Sequence, residues 1–375
     1  MKFSILSGAY VNAGDFLIVK RTIELLKFIY KDCEIKEYKR KYSLEEYIED
    51  INNSDALIIA GGPAYTSNLY PDIMPLVPDL SKIKTKIVPI GCGWYGVSAI
   101  SDYIYKYVVF EPKTMELINK IYNDCKLISC RDWYSVKTLS VNGFLNGYMT
   151  GCPAWYDIKS IDKKPKFLNT DFNINKICIS DPANLGNIEQ AKKIILLVKN
   201  KYKNANIKFV FHRRENLKLE NKYLELEKFL IQNDIEFVNI SDSADGFEVY
   251  NDCDLHIGYR VHAHIYNLSI RNLSILIEED GRGRGVNNAL ALPKITAYNE
   301  LKVDYKNTFF RKNIRIIKKK FFKVGIYKNN KYVFNELCDV LNEINKSNYV
   351  QYEIAFDIMK KYYQNMINYI KTNLG

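Results

Sequence analysis

Two Rossmann-like α/β domains facing one another are the architecture this sequence predicts, and three observations predict it. Short apolar runs alternate with helical patterns in both halves of the 375-residue chain, as in parallel sheets covered by helices on both faces. Several of those runs end in glycine or in a charged residue, the form of a strand whose carboxyl end opens on a ligand crevice. Between the halves, residues 158–175 turn Lys-, Asp- and Asn-rich, the composition of a domain joint. The chain accordingly divides into residues 1–165, residues 170–300 and a basic, helical segment 301–375 expected to pack back on the first domain.

Lys2–Leu6 reads as the first strand, SGAYVNAGD as the loop after it, and Phe16–Tyr30 as a helix. Asn12, Gly14 and Asp15 stand at this junction, where Asp15 can cap the helix or the loop can face a ligand; both readings stay open. Ser54–Ala60 is a buried strand ending on Gly61 and Gly62, a pair that lets backbone amides approach a ligand closely. Lys86–Ile90 repeats the pattern before GCGWYG. Leu127–Cys130 finishes on Arg131 and Asp132, and a helix begins at Val136. Arg131 either reaches the crevice or pairs with Asp132 beside it.

The second series runs strand Lys176–Ser180, helix Ile188–Lys201, strand Lys208–Phe211, helix Leu219–Gln232, strand Glu236–Val238 and a short helix Phe247–Asn251. His212, Arg213 and Arg214 follow the FVF strand on its crevice side. The stretch 251–292 is the most informative. Cys253–Ile257 is a strand, Gly258 a tight turn, Val261–Ile270 a helix, Ser274–Ile277 the next strand, and GRGRG a loop opening from it. Arg260 and His262 sit at the helix start, and Arg282 and Arg284 follow the second strand. A strand end and a helix N-terminus face one crevice in such a unit, so the four side chains can converge on an anion.

Composition narrows the partners. The chain carries 54 Lys and Arg against 43 Asp and Glu, a net charge of +11 that favours anionic ligands. The basic run Arg311–Lys323 is either a solvated face or a membrane-surface contact, and no nucleic-acid module is present. Eight cysteines without a CxxC pair point to reduced, buried thiols. The N-terminus lacks a signal-peptide core, and no run approaches the roughly 20 apolar residues of a membrane span, so a cytoplasmic protein is expected. There is no Walker loop, HExxH or GxSxG, and Gly283 and Gly285 lack the helix that a dinucleotide fingerprint needs. His262 and His264 at i,i+2 point apart, so no catalytic metal is expected.

The spaced motifs resemble the polysaccharide pyruvyl transferase family. They are N-x-G-D (Asn12, Gly14, Asp15), the strand ending in Gly61-Gly62, S-x-R-D (Ser129, Arg131, Asp132), T-G-C-P (Thr150–Pro153) and D-L-x-I-G-x-R-x-H-A (Asp254–Ala263). The last is the most specific, and nothing beyond Thr296 carries the resemblance. It implies a fold similar to the two-domain GT-B glycosyltransferases, with the site in the interdomain cleft. It also implies transfer of pyruvate from phosphoenolpyruvate onto two hydroxyls of a sugar, giving a cyclic ketal and phosphate. The family's basic positions fall here on Arg131, Arg260 and His262, with a further one on Arg282 or Arg284; the crowding of two arginines leaves that choice open.

The residue types suit the chemistry. Phosphoenolpyruvate carries about three negative charges near neutral pH, and arginine forks match both carboxylate and phosphate. A proton must reach the methylene carbon, and a histidine with pKa near 6.5 can deliver it. His256 and His264 are expected to be structural. No cofactor is expected besides the donor substrate; the acceptor would be a glycan or lipid-linked sugar. Two rivals stand beside this reading. One is a GT-B glycosyltransferase using a nucleotide sugar, with Glu248 or Glu278 on the ribose. The other is a non-catalytic carbohydrate-binding protein.

Overall fold

The computed structural model describes residues 1–94, 104–212, 220–298 and 329–375. In the first half, β1 (Lys2–Ser7), α1 (Ala13–Ile29), β2 (Glu34–Lys39), α2 (Ile48–Asn52) and β3 (Ala56–Ala60) follow in order. A short strand β4 (Pro63–Tyr65) precedes β5 (Ile87–Ile90), and β6 (Gly93–Trp94) pairs with β4. Then come α3 (Pro112–Asp124), β7 (Ile128–Cys130), α4 (Trp133–Val141) and β8 (Gly147–Met149). The main sheet is parallel, ordered β2-β1-β3-β5, and a parallel bridge between Cys92 and Cys130 carries it on towards the β7–β8 pair. β3 is buried at all five positions because it is central and covered on both faces. β2 (EIKEYK) lies at the sheet edge and is largely exposed.

The second half builds a six-stranded parallel sheet from β9 (Lys176–Ser180), α5 (Ile188–Lys201), β10 (Asn206–Phe211), α6 (Glu220–Gln232) and β11 (Glu236–Asn239). It continues through β12 (Leu255–Gly258), α7 (Val261–Ser269), β13 (Leu273–Glu278), α8 (Gly281–Ala289) and β14 (Ile295–Thr296). The strand order is β11-β10-β9-β12-β13-β14, so the direction of winding reverses between β9 and β12. In the first sheet it reverses between β1 and β3. These two switch points are where open α/β sheets leave a crevice beyond the strand ends.

Two helices close the chain, α9 (Val333–Lys346) and α10 (Val350–Leu374). α10 starts on the second sheet, where Tyr352 Oη donates to the Ser274 carbonyl at 2.8 Å. It ends on the first, where Tyr369 Oη donates to the Pro89 carbonyl at 2.6 Å and Lys86 Nζ to that of Asn373. The sheets also meet directly: the amide of Asp242 donates to the Val11 carbonyl at 2.9 Å, and Lys20 pairs with Asp245. Arg21 reaches Asp157 at 2.9 Å, tying α1 to the joint between the halves.

Two local expectations are corrected. α1 begins at Ala13, and Asn12 rather than Asp15 is its cap, with Oδ1 accepting from the Gly14 amide. GRGRG is no loop; it forms the first turns of α8, capped by Asp280, whose Oδ1 accepts the Arg282 amide at 2.9 Å. Its glycines carry a helix despite their poor propensity because the helix packs close: a Cβ on Gly285 would stand 2.8 Å from the Asp132 carboxyl carbon. β2 and α3 were not anticipated at all. The basic run Arg311–Lys323 lies outside the described residues.

Candidate active site

Arg260 is the N-cap residue of α7, at the end of β12 and beside the switch point of the second sheet. Its guanidinium meets Asp181, just past β9, side-on: Nε to Oδ1 at 2.7 Å and Nη2 to Oδ2 at 2.5 Å. Asp181 is fully buried and also accepts the His212 amide at 3.1 Å. Burial pushes its carboxyl up from the ordinary value, and Arg260 opposes that rise. One fork of Arg260 is therefore committed to the fold, and its Nη1 edge is what remains for a ligand.

His262, the second residue of α7, reaches across to the first sheet's helix α1. A Cβ added to Gly14 would lie 1.9 Å from His262 Nδ1, so the ring occupies the space an alanine side chain would need. N-x-G-D and R-x-H-A thus form one contact between domains. The imidazole is half-buried and crowded by cations. Burial, then Arg282, Arg131 and Arg260 in turn, push its pKa down to about 3, with Asp280 opposing. The ordinary value of about 6.5 expected from residue type does not hold at this position. Gly14→Ala is expected to leave the fold near its wild-type stability, since α1 tolerates alanine, while displacing this ring; turnover measured beside thermal unfolding checks it, and an unchanged turnover would refute the contact.

The two arginines of α8 part company. Arg282 turns back on its own cap, Nη2 to Asp280 Oδ2 at 2.6 Å, and is the strongest cationic neighbour of His262. Asp280 is held below the ordinary carboxylate value: burial acts to raise it, and Arg282 and Arg131 together more than offset that rise. Arg284 points to the buried Glu278 of β13, Nε to Oε2 at 2.5 Å. Burial lifts Glu278 to about 7 against the pull of Arg284 and Asn287. Of the pair left open by the sequence, Arg282 is the one that bears on His262.

From the first sheet comes Arg131, 6% exposed, its Nη2 donating to the Trp94 carbonyl at 2.8 Å and its Nε to Asp132 Oδ2 at 3.2 Å. The pairing alternative holds, since Arg131 meets Asp132, and its charge is also felt at His262. Asp132 caps α4 through the amide and hydroxyl of Ser135, both at 2.8 Å. Asn12 Nδ2 donates to Asp15 Oδ2 at 3.2 Å, which orders the loop before α1. Gly61 serves packing: its Cβ would meet Ile18 of α1 at 2.7 Å, so the residue admits the helix rather than a ligand.

The other histidines are core groups. His212, expected on the crevice side, is 1% exposed; its Nε2 shares a 2.7 Å hydrogen bond with Tyr250 Oη and its ring stands edge-on to Phe247. Its amide, not its imidazole, serves the site through Asp181. His256 and His264 share the hydroxyl of Ser274 at 2.7 and 2.8 Å. Arg213 lies outside the described residues. Asp181 and Asp280 were missed in the sequence, though an Asp before GRGRG is a legible helix cap.

Comparison with known proteins adds a family and a fold. A sequence model described as polysaccharide pyruvyl transferase matches residues 12–266. No curated protein sequence matches the chain. Among solved structures, the S. aureus MnaA–UDP co-structure is similar at TM-score 0.51 and 12% identity, over 99% of this chain and 96% of that one. Anabaena HepE in complex with UDP and glucose is similar at TM-score 0.48 and 10% identity, over 99% and 98%. At 12% identity the likeness to the MnaA structure speaks for the fold alone: two Rossmann-like domains in the GT-B arrangement.

Proposed function

The chain belongs to the polysaccharide pyruvyl transferase family, and on that premise we propose that it moves pyruvate from phosphoenolpyruvate onto a sugar diol, forming a cyclic ketal and releasing phosphate. The observation that carries this reading is the meeting of Arg131 from one sheet with Arg260, Arg282 and His262 from the other. The donor's carboxylate and phosphate are taken by the guanidinium groups gathered around His262, Arg131 and Arg282 among them. His262 supplies the proton. Its transfer to the methylene carbon makes a methyl group and leaves a cation at the adjacent carbon. One sugar hydroxyl adds there and gives up its proton; the second displaces the phosphate and gives up the other. Sheltering that cation from water is the use of a site split between domains.

Charge explains the timing. Burial, and after it the arginines, keep His262 neutral before the donor binds, so it has no proton to give near pH 7. A donor with about three negative charges reverses the local field and lets the imidazole take up a proton. The acid is therefore armed only when the donor is bound. Binding of phosphoenolpyruvate near pH 7, measured calorimetrically in buffers of different ionisation enthalpy, is expected to take up about one proton, and none in His262→Asn. The sign follows from the shift: a bound-state pKa above the free-state value means that affinity weakens as pH rises through the bound value. Wild-type binding without proton uptake would remove His262 as the acid, and tight binding of a nucleotide sugar with no binding of phosphoenolpyruvate would hand the site to the glycosyltransferase reading.

Glu278, a candidate for ribose in that rival, is spent on Arg284 and Asn287. The reaction proposed uses no metal or further cofactor. No helix among the described residues is long and apolar enough to cross a membrane. With a glycan or lipid-linked sugar as acceptor, the proposed place of action is the cytoplasm at the inner membrane face.

A further inference from the structure

Each arginine of the cleft so far described has a carboxylate: Arg131 has Asp132, Arg260 has Asp181, Arg282 has Asp280 and Arg284 has Glu278. Arg40 is different. It follows β2, its amide donates to the Ser7 carbonyl at 2.9 Å, and its side chain runs back across the carboxyl end of the first sheet. A Cβ on Gly8, after β1, would stand 2.5 Å from its Cζ, and a Cβ on Gly62, after β3, would stand 2.5 Å from its Nη1. The guanidinium therefore lies over the gap between β1 and β3, the switch point of this sheet. Among the described residues it makes no side-chain hydrogen bond and no ion pair. It is half-buried between the two strand ends.

Its neighbourhood adds to the positive field. Lys41 Nζ lies 4.3 Å from the centre of the Tyr10 ring, on the loop that follows β1. Arg131 is close along the same edge: burial pushes the Cys92 thiol up to about 12, and the two cations pulling it down are Arg40 and Arg131. Gly93 makes room for Arg131 as Gly8 and Gly62 do for Arg40, since its Cβ would stand 2.3 Å from Arg131 Cζ. Two arginines are thus laid over strand-end glycines along one edge, and among the described residues one of them, Arg40, has no carboxylate partner.

We propose that Arg40, seated on Gly8 and Gly62 at the first sheet's switch point, is an oxyanion subsite that binds a phosphate-class group of the substrates. The group comes either from the donor or from a glycosyl phosphate on the acceptor side. This site deepens the proposed reaction by adding an anion contact in the first domain, but anion binding there does not depend on pyruvyl transfer. The side-chain length and charge of Arg40 set the recognition.

The test is calorimetric titration of the full chain with inorganic phosphate, phosphoenolpyruvate and glucose 1-phosphate, for wild type, Arg40→Gln and Arg40→Lys. Arg40→Gln is expected to weaken at least one of these probes by about 10-fold or more, with partial recovery in Arg40→Lys. Loss confined to phosphoenolpyruvate assigns the group to the donor, and loss confined to glucose 1-phosphate assigns it to the acceptor. Gly8→Ala, which displaces the guanidinium without removing it, is expected to weaken the same probe, and serves if Arg40→Gln fails to fold. Equal binding of all three probes by wild type and variants overturns the subsite, as does wild type binding none of them at 10 mM scale concentrations, roughly the weak limit of a useful site. Failure of the pyruvyl transfer reading would look different: no turnover of phosphoenolpyruvate, with the Arg40 dependence of phosphate binding intact.

Discussion

His262→Ala is expected to lose turnover by about 10²- to 10⁴-fold, the usual contribution of a general acid, with a modest change in donor affinity. The imidazole sits where two motifs meet, packed on Gly14 of α1 and set at the N-terminus of α7, and the proposed reaction makes it the acid. Removing it takes away the proton source while leaving Arg131 and Arg282 to hold the donor's charges. If anything, affinity for the donor should fall slightly, because the bound anion then lacks the imidazolium it would have created. Single-turnover release of phosphate, paired with donor titration, separates the two effects. Turnover at the wild-type rate would place the acid elsewhere. His212 and His264 are poor substitutes, being buried at 1% exposure and bonded to Tyr250 and Ser274.

Arg260→Ala is expected to destabilise the folded chain by about 3–5 kcal/mol, since it leaves the carboxylate of Asp181 buried without its partner. Asp181→Ala should cost about as much, because the cation is then stranded. The pair joins β9 to the start of α7 with two hydrogen bonds and holds the switch point shut on the core side. The double variant Asp181→Leu/Arg260→Met should regain much of the loss, as replacing a buried pair by apolar groups usually does. Urea unfolding of the four proteins measures this, and single variants as stable as wild type would mean that water reaches the pair. The consequence for function is direct. Activity lost in Arg260→Ala reads first as lost fold, and Arg131→Ala strands the buried Asp132 in the same way, so the variant that reports on donor contact is Arg282→Ala, whose pair with Asp280 is the more exposed.

Much of the architecture was legible because it is periodic. Central strands such as Ala56–Ala60 and Leu273–Glu278 are continuous apolar runs, and Ile188–Lys201 has a helical stripe. These patterns arise from burial on both faces or on one, so local sequence records them. β2 escaped because an edge strand is wet: EIKEYK buries only Tyr38 fully and shows no apolar run. With β2 went Arg40, whose role depends on where that strand ends. The helix in GRGRG escaped for the opposite reason, since its glycines argue against helix locally. What overrides them is the close approach of Asp132 from the other domain, together with the cap at Asp280.

By itself the sequence determined two α/β units, the family, and the residue types gathered at strand ends. Only the tertiary structure decided which of those residues answer one another. It set Arg260 on Asp181, Arg284 on Glu278 and Arg282 beside His262. It also drew His262 far from its ordinary pKa, to about 3. The reason is range: strand and helix patterns are written over a few neighbouring residues, whereas desolvation and charge act between groups far apart in the chain that folding brings within a few ångströms.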